Sequence, residues 1–524
     1  MTKQVNPVDP AENVRQAASL SQASGLAQPE VSDKQAACPT SDNSKLQAYL
    51  WLALGALAGL ALLLLYRDSC QHDGGIHYLF ARWAWQHPEL FVGVWSRPLF
   101  TTLYAFPALL GYDAARAFTV LICLLTAWQT WRLAEQVKLR RAPLVIGLLF
   151  LQPSLFLFCA DTMTEPLFAL VFVIALRLHL SGRVNAGMLV ASLLILTRPE
   201  GLFVSLLWAF WALHARFGKF KPTLLNPLTS ILTLLPLAAG MFVWWLVAWL
   251  ITGDVLFIKH NWPDNWPFSG TMYGAPGFLR YPARLPEIVG PLLLPPFCYG
   301  LYRLLKRREL GAITSAWLTL FILHTIMRAF GLMGSAGYPR YLITVAPATA
   351  LITLAGWNEL AKLFAHVARP LRTAYVAVIL ATATFTNFVY ADGAEWMRDA
   401  WLVEKTYVWW PANQRPITRL IWSQPYMCML LNGDPWQNEF FTLDAARNQQ
   451  LLQALPPGTL VFWDAKSGPR WTDIKIEDFL ANGFELLHEE RAVLRGYLIR
   501  YSPFTIGGPR HQRMALLYKP LPNR

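Results

Sequence analysis

Apolar and polar positions along this 524-residue chain fall into long blocks, without the short alternation expected of a soluble domain. From Leu46 to about Tyr390 apolar runs recur at approximately 46–66, 112–131, 142–158, 163–180, 184–197, 201–215, 228–252, 286–302, 311–330, 341–357 and 373–390. About 20 apolar residues, rising 1.5 Å each, cross roughly 30 Å of hydrocarbon, so these runs predict about eleven transmembrane helices. The third to sixth are short, which predicts helices that tilt little or stop inside the protein.

The pattern changes at both ends. Residues 1–45 are rich in Ala, Gln, Ser, Asp and Pro and poor in aromatics. Such a composition buries too little surface to offset the entropy of ordering, and a disordered tail is expected. It lacks the apolar core and small-residue cleavage site of a signal peptide, so the first helix is expected to remain as an anchor. Beyond residue 391 charges of both signs, the Pro456-Pro457 turn and β-rich runs at Thr459–Trp463, Phe484–Leu487, Tyr497–Tyr501 and Met514–Tyr518 predict a small soluble α/β domain. The expected fold is mainly α: a polytopic membrane helical bundle over 46–390, with a long outer loop at 67–111 and a C-terminal extracytoplasmic α/β domain over 391–524.

Composition and charge sharpen this picture. Only 15% of residues are charged, against about 25% in soluble proteins, and mean hydropathy is +0.32. An ordinary soluble enzyme is excluded. The net charge of +13 sits largely in four connections: Arg132, Lys138, Arg140 and Arg141; Arg216, Lys219 and Lys221; Arg303, Lys306, Arg307 and Arg308; and Lys362, Arg369 and Arg372. Positive connections face the cytoplasm. Eleven helices starting inside put all four there, which places the N-terminus in the cytoplasm and the terminal domain outside a bacterial inner or plasma membrane. With no basic base-reading helix and no Cys/His finger, no nucleic-acid partner is expected. Six Cys form no CxxC motif. Cys70 and Cys428 would share the outer compartment, where a disulfide between them can form.

Candidate chemistry gathers on the predicted outer side. Asp73 lies just beyond the first helix, before Gly74, Gly75 and an amphipathic stretch from Ile76 to Trp85. A carboxylate at the membrane surface can take a proton from a hydroxyl; it can equally cap the interfacial helix. Asp161 and Glu165, in DTMTEP, form a second acidic site where a helix dipole favours negative charge, so plain helix initiation is an alternative. Arg97 (SRPLF), Arg198 (TRPEG) and Arg340 (YPRYL) sit at outer ends of apolar runs, where a guanidinium fork can bind a lipid phosphate or snorkel to the interface. His72 and His77, with His260 in a later loop, are weak candidates for a metal site. The Gly55/Gly59 pair in the first helix suits close packing within the fold.

In QHDGGIHYLFARW, DTMTEPLF, TRPEGLF and PRYL the chain resembles the GT-C superfamily of multi-pass glycosyltransferases, which includes protein O-mannosyltransferases and lipid A aminoarabinose transferases. The resemblance covers about residues 46–390. It departs from the family in carrying a single Asp with Gly-Gly where many relatives have a paired Asp-Glu. It implies a mannosyltransferase-like hexosyltransferase, inverting, with a polyprenyl-phosphate sugar as donor and a glycan, lipid or protein hydroxyl as acceptor. Asp73 would be the general base. Asp161 and Glu165 would orient the acceptor or hold a divalent metal, and Arg97, Arg198 or Arg340 would bind the lipid phosphate. The absence of GxxxxGK[ST] and of a strand-borne GxGxxG agrees with a lipid-carried donor. The alternatives are a lipid-linked glycan transporter or flippase, whose charges would line a midplane path, and an O-antigen polymerase or ligase-like protein.

Overall fold

The computed structural model describes residues 41–217, 227–437 and 445–522, apart from 265, 267, 269, 272, 273, 395, 414 and 506. The expected tail lies, up to residue 40, outside the described residues, as do Lys219 and Lys221 of one basic connection. Contacts divide the chain into Met1–Ser44 and Lys45–Arg524. The architecture that follows is that of the second unit, to which all but the first turn of α1 belongs.

Each of the eleven apolar runs becomes a helix or a broken helix. The first is α1 (Ser41–Leu65). Its Leu50, Leu54, Leu57 and Leu64 are about half exposed or more, the surface expected against lipid. Two short helices, α2 (His72–Trp83) and α3 (Pro98–Leu109), precede α4 (Tyr112–Gln136). The third run breaks at Pro153 into α5 (Leu144–Phe150) and α6 (Pro153–Phe158), since proline supplies no N–H and clashes with the preceding turn. Then come α7 (Thr164–Leu180), the broken pair α8 (Val184–Ala191) and α9 (Leu194–Thr197), α10 (Gly201–Phe217), α11 (Pro227–Thr252) and the single turn α12 (Phe257–His260). The eighth run bends by 108° between α13 (Leu285–Val289) and α14 (Leu294–Arg307), where Gly290-Pro291 ends the first helix. After α15 (Gly311–Phe330), a 3-10 turn over Pro339–Val345 leads into α16 (Ala346–Leu363), and α17 (Arg369–Asp392) follows.

Among the described residues six helices are long and apolar enough to cross a membrane, or seven with the bent pair, and the protein is an integral membrane protein. Shorter apolar helices, including α3 and α10, pack among them. A Cβ on Gly55 would lie 2.5 Å from the Phe150 ring and one on Gly59 2.6 Å from Val120, so this pair seats α1 on α5 and α4. Basic connections gather at one end of the bundle. Glu359 lies between Arg303, Arg307 and Lys362, and Asn358 donates to the Arg140 carbonyl at 2.7 Å.

The C-terminal part begins with α18 (Trp396–Ala412) and builds a four-stranded sheet in the order β1 (Arg419–Trp422), β2 (Thr459–Asp464), β4 (Arg510–Tyr518), β3 (Glu485–Leu494). The first pair is parallel and the others antiparallel. Short helices α19 (Pro425–Leu430), α20 (Ala445–Ala454), α21 (Ser467–Thr472) and α22 (Ile476–Ala481) fill the connections. Every residue of β2 is buried. Leu460 and Phe462 join the core continuous with the helical bundle, while Val461 and Trp463 join Ile421, Phe479 and Leu517 in a second core, the side-to-side alternation of a strand covered on both faces.

Two expectations are corrected here. Tyr497–Tyr501 is not a strand: its tyrosines pack on Tyr390 of α17 at ring distances of 4.9 and 4.5 Å, a long-range contact that outweighs β propensity. Cys70 and Cys428 are free thiols. The Cys428 Sγ is turned to the Gly433 carbonyl at 3.1 Å, and the Cys70 Sγ to the Gln71 carbonyl.

Candidate active site

Asp73 opens α2 but does not cap it. The cap is Gln71, whose side-chain oxygen accepts from the Gly74 N–H at 2.9 Å, and this leaves the Asp73 carboxylate for another use. It accepts a hydrogen bond from Arg340 Nη2. Arg340 comes from the far end of the membrane body, 267 residues away in sequence, and is buried. Burial alone would raise the Asp73 carboxyl, but the Arg340 guanidinium outweighs it and holds the group at about 2. The Asp73 side chain keeps 26% exposure, enough for a reactant to reach it.

Arg340 also lies 3.5 Å from Glu165, which is 2.8 Å from Arg198, which in turn donates to Glu200 at 2.8 Å. The result is one buried chain of alternating charge, Asp73–Arg340–Glu165–Arg198–Glu200. In a low-dielectric interior each ion needs its partner, and removal of one leaves another uncompensated. Tyr341 lies under both guanidiniums, 5.1 Å from Arg198 and 5.5 Å from Arg340. The snorkelling alternative therefore fails for all three arginines, because Arg97, Arg198 and Arg340 are each less than a tenth exposed.

Arg97 differs from the other two. It stands where the backbone turns into α3, at a φ of 63° that non-glycine residues seldom adopt, and Pro98 takes the first helical position. Its Nη1 donates to the Val94 carbonyl at 2.9 Å, and its guanidinium lies between the rings of Trp95 and Trp266 at 5.2 and 4.9 Å. Among the described residues no carboxylate lies within 4 Å of it, and its buried Nε donates to nothing. Burial, and then the like charge of Arg198, pull the guanidinium down to about 9. It is a positive charge held without a counter-ion at the end of the bundle where Asp73 lies.

Asp161 is placed before α7, outside its first turn. Its Oδ1 accepts from the Thr162 N–H at 2.7 Å, and Thr162 Oγ1 donates to the Gly74 carbonyl at 2.7 Å, so the second acidic connection is bonded to the helix that carries Asp73. A Cβ on Gly74 would sit 2.3 Å from Asp161 Oδ1, which is why glycine follows Asp73 here. Burial pushes the Asp161 carboxyl up to about 6 against the opposing Arg116. Helix initiation does not explain Glu165 either, since it is fully buried and sits between two arginines.

The weak metal candidates are not brought together. His77 stacks on Trp95 at 5.7 Å, and burial followed by Arg97 push it well below its usual value, so the ring is neutral. His72 Nδ1 is 3.5 Å from Ser467 Oγ, and His260 pairs with Asp254 at 2.7 Å. Among the described residues no three His, Cys, Asp or Glu side chains are grouped to hold a metal ion. Two site residues escaped the sequence reading. Glu200 stands in the TRPEG motif two residues after Arg198. Arg116 is buried within α4 and donates to the carbonyls of Tyr66, Arg67 and Ala160 and to Ser69 Oγ. A lone arginine inside an apolar run is the signal that could have found it.

No family model and no curated protein matches the chain. Among solved structures it is similar to ArnT from Cupriavidus metallidurans. With the form bound to undecaprenyl phosphate the TM-score is 0.56 at 12% identity, over 91% of this chain and 98% of that one. With the apo form it is 0.53 at 14% identity, over 89% and 98%. The likeness is one of fold.

Proposed function

We propose that the chain is a membrane glycosyltransferase that moves a sugar from a polyprenyl-phosphate donor to a hydroxyl acceptor on the outer face of the membrane. The observation that carries this reading is Arg97, a buried guanidinium without a carboxylate in a neighbourhood where every other site arginine has one. A phosphate is the ligand that a guanidinium fork fits. The similar ArnT structure bound to undecaprenyl phosphate supports a polyprenyl phosphate as its source. Residues 46–390 then form the membrane domain and 391–524 a domain on the outer face, with the N-terminus in the cytoplasm.

In the reaction the acceptor oxygen attacks the anomeric carbon as the bond to the phosphate oxygen breaks, and the lipid phosphate leaves with the bonding electrons. The acceptor proton passes to Asp73, and attack opposite the leaving group inverts the anomeric centre. A carboxylate held at about 2 is a weak base. The donor phosphate competes with Asp73 for Arg340, and as that hydrogen bond loosens Asp73 gains basicity where the acceptor needs it. Asp161 and Glu165 keep α2 and Arg340 in register, and the charges are arranged before the reaction starts. The test is direct binding of undecaprenyl phosphate to the purified full chain. Saturable binding, weakened when Arg97 is replaced, is expected; no binding above a neutral polyprenol would sink the reading.

A further inference from the structure

A cavity lies on the other side of α2. Asp73 and His77, one turn apart, line the active-site edge, whereas Tyr78 and Arg82, also one turn apart, line this cavity. Five residues of helix turn about 140°, which puts the two pairs on nearly opposite faces. The cavity is about 340 Å³, within the range of roughly 300–1,000 Å³ typical of ligand sites.

Its position is fixed by two candidate spans: Arg67 follows the end of α1 by two residues, and Tyr112 is the first residue of α4. It therefore lies at the depth of the lipid head groups. Leu109 and Leu110 form part of its lining and are 42% and 68% exposed, an apolar lip facing the acyl region. The polar lining is balanced in charge. Arg67 and Arg82 contribute two cations, and Asp113 and Glu404 two anions. Among the described residues no carboxylate lies within 4 Å of Arg82, whose guanidinium rests over the Trp83 ring at 5.2 Å. Arg67 is exposed and 3.9 Å from Asp68. Glu404 accepts from the Tyr426 hydroxyl at 2.7 Å, which leaves its carboxylate further lone pairs for a donor.

We infer that this cavity holds the head group of a zwitterionic phospholipid of the phosphoethanolamine type, with its phosphate on Arg82 and Arg67, its ammonium on Glu404, and its tails over Leu109 and Leu110. Asp113 is paired with Arg116 at 3.3 Å, so a head group with a phosphate and no amine leaves Glu404 facing it without a cation. A choline head group has no N–H to give to Glu404. A lipid seated here braces the face of α2 opposite Asp73. The inference does not depend on the proposed transferase activity.

The test uses the full chain reconstituted in phosphatidylcholine nanodiscs containing a minor fraction of either phosphatidylethanolamine or phosphatidylglycerol, with retained lipid read by native mass spectrometry. One phosphatidylethanolamine per chain is expected in preference to the other two lipids. Arg82→Gln and Glu404→Gln should each weaken its retention roughly tenfold or more, about 1.4 kcal/mol. Equal retention of phosphatidylglycerol, unchanged retention in both variants, or displacement of the lipid by inorganic phosphate would overturn the inference. The lipid comparison on the unmodified chain needs no variant, so it stands even if a substitution prevents folding.

Discussion

Replacing Arg97 by Gln separates two roles that a buried arginine can have. If Arg97 were a structural ion like Arg198, its removal would strand a partner and destabilise the fold by about 3–5 kcal/mol, the usual cost of breaking a buried pair. Its surroundings predict otherwise. Arg97 makes one bond to a carbonyl and two ring contacts and has no carboxylate to strand, while removing the charge relieves the desolvation that pulls it down to about 9. The apo protein should therefore stay within about 1 kcal/mol of wild type, because the lost cation–π contacts, about 0.5–2 kcal/mol each, offset the relief. Lipid binding should suffer instead. Two hydrogen bonds from a guanidinium to a phosphate contribute roughly 3 kcal/mol together on the lower values for charged partners, so undecaprenyl phosphate should bind roughly a hundredfold more weakly. The assay pairs a thermal melt without ligand with a binding isotherm for undecaprenyl phosphate, on Arg97→Gln and Arg198→Gln. Unchanged lipid affinity in Arg97→Gln, or a loss of stability equal to that of Arg198→Gln, would refute the reasoning.

Further predictions concern the groups around Asp73. Gly74→Ala forces a methyl against Asp161 Oδ1; overpacking of this kind costs about 1–3 kcal/mol, and transfer should fall at least tenfold by initial rate while the chain still purifies as a monodisperse protein. Arg340→Gln removes the charge that holds Asp73 at about 2, leaving burial to raise the carboxyl. The acid limb of kcat/KM, below the accessible range in the wild type, should then appear between about pH 4 and 7; a flat profile would contradict the pairing. Below that limb Asp73 is protonated, so the variant loses rate as pH falls. Arg116→Met removes the donor shared by the residue 66–69 turn and the Ala160 carbonyl. A thermal melt should show a loss of about 3 kcal/mol or more, which Arg116→Lys does not restore because an ammonium lacks the planar fork.

Much of the fold was legible because hydrophobic blocks report helices: each of the eleven runs became a helix or a broken one, and among the described residues six helices, or seven with the bent pair, are long and apolar enough to cross a membrane. Broken runs could not be told from continuous ones, since the bend at Gly290-Pro291 depends on what packs against it. Helix α3 was passed over because its 12 residues are too few to cross the hydrocarbon core, which takes about 20. The site was legible as residue types and not as pairings. Asp73, Glu165, Arg198 and Arg340 were all singled out, yet the bond between Asp73 and Arg340 spans 267 residues and no local spacing encodes it. For the same reason Arg97 read like its two fellow arginines: what distinguishes it is a carboxylate that the fold does not bring to it. Asp161 read as part of a helix start because the sequence shows DTMTEP without showing that Thr162 bonds back to Gly74.

The central claim is that Asp73 removes the acceptor proton during transfer from a lipid-phosphate donor. It is tested most directly by Asp73→Asn in purified, reconstituted protein supplied with a radiolabelled polyprenyl-phosphate sugar and an extract of cell-envelope acceptors, with donor binding and sugar transfer measured on the same sample. The amide keeps the shape of the carboxylate but cannot accept the proton, so donor binding at or above the wild-type level, with transfer reduced by a factor on the order of a hundred or more, is the predicted result. Transfer at the wild-type rate would contradict the account.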